Sequence, residues 1–427
     1  MNDLDAQDIL LQHFPSQRAA LRLAVVTETW PPEVNGVAMT LSRLVHGLCD
    51  RQHQVQLVRP RQTRTDLDSA DSLLEVKLMR GMPIPRYPQL RLGLPARKAL
   101  VAAWTERRPD LVHIATEGPL GWSALKAAQH LKIPVTSDFR TNFHSYSLHY
   151  GLGWLHKPIA AYLRKFHNQT LCTMVPTHAL SAELLSLGFE RLQVVARGVD
   201  TRLFHPGRHD SLLRAQWGAQ PSDVVLLVVG RLAAEKNLDL VLDAYEAMRR
   251  HTDGVRLVFV GDGPLRGHLK SRCPQALFLG TLPQAALAAC YASADLLMFP
   301  SLTETFGNVT LEALASGLPV LAFDCAAAAE WVSHDHNGWR VSPGDSADYV
   351  RTAVSLVRSP GRLAGASEAA RQSVVELGWP QIAAQVEDVF LRAIDAARGA
   401  SPHSLKLSRK LNQIEVKNIE AISNTAG

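Results

Sequence analysis

The sequence predicts an α/β protein of two doubly wound, parallel-sheet domains that face a central cleft. Three observations carry this prediction. Short apolar runs rich in β-branched residues alternate with helical patterns through the first half of the chain, and the same alternation restarts near residue 223. Between the two series lies VARGVDTRLFHPGRHD (195–210), which contains Gly and Pro and has no clean periodicity, as a linker would. Strands alternating with helices imply a parallel sheet covered on both faces. At 427 residues there is material for two cores.

Residues 1–20 form an extension. LRLAVVTE (21–28) is a buried strand, GVAMTLSRLVHGLCDRQ (36–52) an amphipathic helix, and QVQLVRP (54–60) a second strand. DLVHIAT (110–116), IPVTSDF (133–139) and TLCTMVP (170–176) continue the series. MPIPRYPQLRLGLP (82–95) interrupts it, because Pro83, Pro85 and Pro88 forbid regular helix. Past the linker, DVVLLVVGRL (223–232), VRLVFVGDG (255–263), ADLLMFPS (294–301) and LPVLAFD (318–324) are strands, and residues 237–250 are a helix. The expected division is a first domain over 21–204, a second over 205–378, a last helix over 379–400 returning toward the first domain, and a flexible tail over 401–427. Ligands bind outside the carboxyl ends of parallel strands, so both sheets turn their binding edges to the shared cleft.

Apolar residues make up 46% and charged residues 20%, an ordinary globular balance. No apolar run approaches the roughly 20 residues needed to span a bilayer. The opening residues MNDLDAQDILLQHFPSQR are acidic and lack the basic-then-apolar order of a signal peptide, so a cytoplasmic location is expected. Cys49, Cys172, Cys273, Cys290 and Cys325 are scattered and odd in number, which points to reduced thiols and away from a metal cluster. Residues 1–210 hold 25 Lys and Arg against 18 Asp and Glu, while residues 211–427 hold 20 against 22. The surplus gathers in 75–108, with eight basic and two acidic residues. Such asymmetry suits an anionic partner or a solvated face.

The segment SLTETFGNVTLEALASGLPV (301–320) carries the strongest chemical signal. Glu304 follows a strand and Glu312 lies eight residues on, about two turns into a helix by this reading. Gly307 and Asn308 between them let backbone N–H groups face outward at the helix start, a geometry that suits phosphate. A carboxylate at Glu312 can accept from vicinal ribose hydroxyls. In VVGRLAAEKNLDLVLDA (228–244), Arg231 and Lys236 stand five residues apart in a Gly-led loop. Two cations so placed can hold a diphosphate and the charge it develops on leaving. In TETWPPEVNGVAMTLSRL (27–44), Gly36 opens a helix, and its missing side chain admits a phosphate to the backbone. The absence of G-x-G-x-x-G there argues against a dinucleotide oxidoreductase. Gly261 and Gly263 read as turn formers.

Glu304 and Glu312 in this context resemble the E-x7-E signature of the retaining GT-B glycosyltransferases of family 4. Arg231 and Lys236 match the family's pyrophosphate pair, and FLGTLP (278–283) its base-side loop, which implies a base contact near Leu282. VHIATEGPLGWSAL (112–125) and TSDFRTNFHSYSLHYG (136–151) are most similar to mannosyl- and sulfoquinovosyltransferase-like members. Those members have His where this chain has Arg140; Arg140 can still pair with phosphate, and His144 stands four residues on as a replacement. The hinge-like VARGVDTRLFHP (195–206) places Arg197 and Asp200 on the donor side. The likeness spans about residues 21–398 and is most specific over 228–320.

The resemblance implies donor contacts from Gly36, Arg140, Arg197, Leu282, Phe306, Gly307, Asn308 and Glu312. It assigns catalysis to Glu304, Arg231 and Lys236, and sugar or acceptor contacts to His144, Glu117 and Tyr87. It implies front-face transfer with retention, a nucleotide sugar and a lipid or glycan acceptor, and no cofactor or nucleic acid. No D-x-D motif stands in a suitable loop, so no metal is expected. The basic segment 86–108, with Arg86, Arg91, Arg97 and Lys98, is expected to meet anionic membrane at the inner face of the plasma membrane, a phosphorylated soluble acceptor, or solvent alone. The look of the first domain favours mannose from GDP-mannose as the donor, in cell-envelope glycolipid or polysaccharide synthesis, with UDP-glucose or UDP-sulfoquinovose as the alternative. A GT-B epimerase and a non-catalytic sugar-nucleotide-binding protein are the readings outside transfer.

Overall fold

The structure is a computed structural model; it describes residues 20–33, 36–63, 66–84, 87–140, 156–301, 304 and 306–399. His144, Arg86, the first 19 residues and the expected tail lie outside the described residues.

The first half builds β1 (Arg22–Val26), β2 (Gln54–Pro60), β3 (Ser69–Ala70), β4 (Leu74–Met79), β5 (Gly81–Ile84), β6 (Tyr87–Gly93), β7 (Leu111–Ile114), β8 (Val135–Asp138), β9 (Cys172–Val175) and β10 (Leu192–Val194). Eight of these form one sheet in the order β10-β9-β8-β7-β1-β2-β4-β3. Its pairings are parallel except β3 with β4. The second half builds β11 (Val224–Val229), β12 (Val255–Val260), β13 (Leu277–Phe278), β14 (Leu296–Phe299), β15 (Val320–Phe323) and β16 (Gly338–Val341). These lie wholly parallel in the order β13-β12-β11-β14-β15-β16. Every residue of β11 is buried, as a strand covered by helices on both faces requires.

Strand order reverses between β7 and β1 in the first sheet and between β11 and β14 in the second. A crevice opens at each such switch point, outside the carboxyl ends of the strands. The loops that follow β1, β7, β11 and β14 contain Gly36, Glu117, Arg231 with Lys236, and Glu304 with Gly307. The topology therefore decides which of the sequence motifs can meet.

Within the proline-rich segment 82–95, β5 and β6 pair antiparallel as the arms of a hairpin. Proline lacks an N–H to donate, and a free two-stranded ribbon leaves positions where that donor is not needed. Glycines dock the hairpin at its root. A Cβ on Gly81 would stand 2.7 Å from Pro60, and one on Gly93 would stand 2.6 Å from Leu120.

The two halves share one hydrophobic cluster, which runs from Leu23 and Val25 through Val199, Phe204 and Phe390 to Val225 and Leu227. The helix Trp379–Ala397 seals it, burying Ile382, Val386, Val389 and Phe390. This helix packs on the helix Gly36–Asp50, where a Cβ on Gly47 would stand 2.9 Å from Ala383 Cβ and one on Gly198 2.7 Å from the Trp379 ring. Its Glu387 is 2% exposed and takes Arg51 as an ion-pair partner, with His53 Nε2 3.3 Å away. No helix among the described residues is long and apolar enough to cross a membrane.

Candidate active site

In the second domain, β11 is followed by Gly230, whose φ of 137° only glycine adopts readily. The chain then turns through Arg231 into a short 3-10 turn, Ala234–Lys236, and Asn237 enters the next helix in a left-handed conformation. Gly261 and Gly263 brace this loop from below. A Cβ on Gly261 would stand 2.0 Å from Gly230 O, and one on Gly263 2.4 Å from Leu232 O. Their role is close backbone approach, in keeping with the turn-forming role read from the sequence.

Lys236 Nζ forms an ion pair with the Glu304 carboxylate. Ser301 Oγ donates to the same carboxylate oxygen at 2.9 Å. The Lys236 ammonium also lies 5.6 Å over the Phe299 ring. Arg231 is engaged differently. Its guanidinium donates to Glu235 at 3.1 and 2.5 Å while its side chain stays 68% exposed. Burial alone would raise the Glu235 carboxyl, but Arg231 and the nearby Lys236 hold it below its ordinary value. Both cations thus have a carboxylate partner, and Arg231 faces open solvent.

Gly307 has φ 87° and begins the helix Asn308–Ala315 with no side-chain cap. Its first-turn N–H groups are available to an anion. Glu312 lies one turn into this helix, not two, because the helix starts only at Asn308. Asn308 and Glu312 therefore share a face at i and i+4. Tyr291 O–H donates to Glu312 at 2.9 Å, and burial raises the carboxyl. Glu312, Asn308, Gln284 and Asp200 line one small cavity. Leu282, two residues before Gln284, packs against the core beside it.

Across the cleft, a Cβ on Gly36 would lie 3.9 Å from Asn308 Nδ2 and 4.0 Å from Arg197 Nη1. Arg197 stacks 5.3 Å over the Phe306 ring and donates to Asn308 Oδ1 at 3.5 Å. Gly36, Arg197, and Phe306 with Asn308 thus converge from three separate segments. Burial, then the charge of Arg140, pulls the Arg197 guanidinium down to about 9, against the pull of Asp138 and Glu304, so it stays protonated at neutral pH. Asp200, which lines the Glu312 cavity, pairs with Arg43 at 3.0 Å and accepts from the Leu203 N–H.

Arg140 donates through Nε to Asp138 at 2.7 Å, and His113 Nε2 lies 3.4 Å from the same carboxylate. Burial disfavours ionised Asp138, but Arg140 and His113 outweigh it and keep the carboxyl well below the usual range. Asp138 was not singled out from the sequence; its signal is a carboxylate at a strand end, two residues before a cleft arginine. Glu28 was also missed. It follows β1, accepts the Leu120 N–H at 3.0 Å, and lies beside Glu117. Glu117 itself sits deeper in the first domain, with Tyr162 O–H on its carbonyl at 2.7 Å and His167 Nε2 3.9 Å from its carboxylate. The Tyr87 side chain and His144 lie outside the described residues.

Two family descriptions match the chain: "Glycosyl transferases group 1" over residues 223–359 and "Glycosyltransferase Family 4" over residues 34–203. A GDP-mannose-dependent alpha-mannosyltransferase of Mycobacterium tuberculosis is 32% identical over 383 residues, covering 89% of this chain and 97% of that protein. Sulfoquinovosyl transferase SQD2 of Arabidopsis thaliana is 29% identical over 309 residues, covering 70% and 60%. Among solved structures, a sucrose-phosphate synthase from Thermosynechococcus elongatus superposes with a TM-score of 0.72 at 18% identity, over 88% of this chain and all of that one.

Proposed function

Since this chain belongs to the family 4 glycosyltransferases, with the GT-B fold, we propose that it moves mannose from GDP-mannose to a hydroxyl of a lipid or glycan acceptor, with retention and without a metal. The observation that carries this reading is the convergence of Lys236, Glu304, Arg197, Gly36 and the uncapped helix start at Asn308 on the two switch points. Positive charge there belongs where a diphosphate would leave. The choice of mannose rests on the mycobacterial relative, whose name specifies GDP-mannose.

In the proposed reaction the bond from the anomeric carbon to the diphosphate oxygen breaks as the acceptor oxygen bonds to the same face. The acceptor proton passes to the departing phosphate oxygen. Lys236, Arg197 and Arg231 take up the developing charge, supplying what a divalent ion would otherwise provide. Glu304 holds the sugar hydroxyls once phosphate competes for Lys236, and Glu312 holds the ribose. Arg140, fixed by Asp138, adds a second guanidinium beside Arg197. Closure of the two sheets on the donor would exclude water and limit its hydrolysis. Arg97 and Lys98, exposed on the helix Arg97–Glu106, support contact of the first domain with anionic membrane at the cytoplasmic face.

Thermal unfolding with GDP, UDP and their sugars tests the donor. At 100 times the dissociation constant a ligand stabilises by about 2.7 kcal/mol. GDP is expected to raise Tm and UDP to leave it. The reverse result transfers the reading to a UDP-sugar, and no shift with either removes the donor site.

A further inference from the structure

The cavities beside Arg197 and Glu312 are small, about 30 and 60 Å³. A larger one, of about 530 Å³, opens elsewhere on the first domain, within the range of small-ligand sites. It lies where β2 and β4 end and the β5–β6 hairpin begins. Arg61 follows β2, Arg80 follows β4, and Arg91 comes from β6. Backbone bonds fix the three relative to one another: Arg61 N–H donates to Met79 O at 3.0 Å, and Leu94 N–H donates to Arg80 O at 2.9 Å. Met79 and Leu94 give the cavity an apolar wall.

Arg59, on the strand that leads into the cavity, is neutralised by Asp66. Arg61, Arg80 and Arg91 have no carboxylate partner among the described residues. Of the nearby acids, Asp66 is paired with Arg59, Glu33 accepts from Gln62 and Thr29, and Asp68 accepts the Leu78 N–H while keeping its charge. Arg61 and Arg80 are exposed and Arg91 is half-buried, so three cations line one cavity that an anion can enter. A carboxylate has two oxygens and is served by one guanidinium fork; three guanidiniums suit a phosphate ester. Gln62, on the cavity wall, donates to Trp30 O at 2.6 Å. Trp30 lies in the loop between β1 and Gly36, so the cavity touches the segment that leads to the donor side.

We propose that Arg61, Arg80 and Arg91 bind a phosphate group of the acceptor, with Met79 and Leu94 against the carbon skeleton next to it. This rests on the transferase reading, to which it adds the chemical class of the acceptor. The phosphate belongs either to a lipid headgroup or to a soluble ester. The full chain and the Arg61→Gln/Arg80→Gln/Arg91→Gln variant are compared in three binding assays at 0.15 M salt: glycerol 1-phosphate, phosphatidylglycerol vesicles against phosphatidylcholine vesicles, and GDP. Wild-type protein is expected to bind at least one phosphate probe, and the variant at least tenfold more weakly, with GDP affinity unchanged. Response to the soluble ester alone identifies a soluble acceptor, and response to the anionic vesicles identifies a lipid. Equal binding by the two proteins, or none by wild type, overturns the proposal. The wild-type assay with GDP, repeated with UDP, judges the donor reading separately, because it does not involve these arginines.

Discussion

Lys236 and Glu304 are 68 residues apart in the chain and share an ion pair. Each residue type was legible in its motif, but the pair was not, since it depends on two loops meeting at one switch point. In the proposed reaction the pair holds the ammonium in place before a donor arrives, and a diphosphate would then replace part of the carboxylate's hold. Removing one preorganised charge-stabilising group typically lowers turnover by about 10²–10³-fold. Lys236→Ala is therefore expected to lose kcat on that scale, with Tm followed in parallel; unchanged kcat would take Lys236 out of the mechanism. Asp138 escaped notice in the sequence because a carboxylate at a strand end is common, and only burial reveals its task. Breaking a buried ion pair costs about 3–5 kcal/mol. Asp138→Asn should destabilise the protein on that order and loosen Arg140, raising the donor KM more than it lowers kcat. Because the native carboxyl lies below its ordinary value, its contribution is present above about pH 4 and is lost only toward strong acid. Urea unfolding at pH 7 together with donor kinetics checks both effects.

At the scale of elements, the parallel strands were readable because double burial writes continuous apolar runs, as in Val224–Val229. The hairpin Gly81–Gly93 was not, because three prolines masked its pairing. Strand β4, LEVKLM, is half-buried along most of its length and carries no such run. What ties these pieces together includes Glu28, whose carboxyl accepts N–H groups from Leu120, Gly121 and Gly93. It therefore joins β1 to the start of the helix Pro119–His130 and to the end of the hairpin. Burial pushes this carboxyl up from 4.5 to about 7. Between those values the unfolded chain has lost the proton that the folded chain keeps, so stability falls as pH rises through that window. The full span corresponds to about 3 kcal/mol. Glu28→Gln cannot titrate. Its stability relative to wild type should improve by up to that amount between pH 5 and pH 8, measured by urea unfolding. A difference that stays constant across the two pH values would show that Glu28 does not titrate in this window.

Across the whole molecule, the last helix belongs to the second half by position and to the first by contact. Its amphipathic pattern was plain in the sequence, but its seat depends on small residues far away, with Gly47 admitting Ala383 and Gly198 admitting Trp379. The hydrophobic cluster that it completes runs through both sheets without a break. A continuous core should make unfolding a single cooperative event, although two sheets of this size could each unfold alone. Glu387 is the polar part of that seam, and its removal would leave Arg51 and the buried His53 without their carboxylate. Losing one member of a buried charge pair costs about 3–5 kcal/mol, and here the cost falls on the junction rather than on either sheet. Wild-type protein should therefore give one calorimetric transition, and Glu387→Ala two, the earlier one lying below the wild-type Tm. The C-terminal sheet, with its β11–β14 crevice intact, should still bind nucleoside diphosphate, though more weakly without Gly36 and Arg197 held opposite. A single transition shifted as a unit would mean that the apolar cluster alone couples the halves, and Glu387 would then be a local contact.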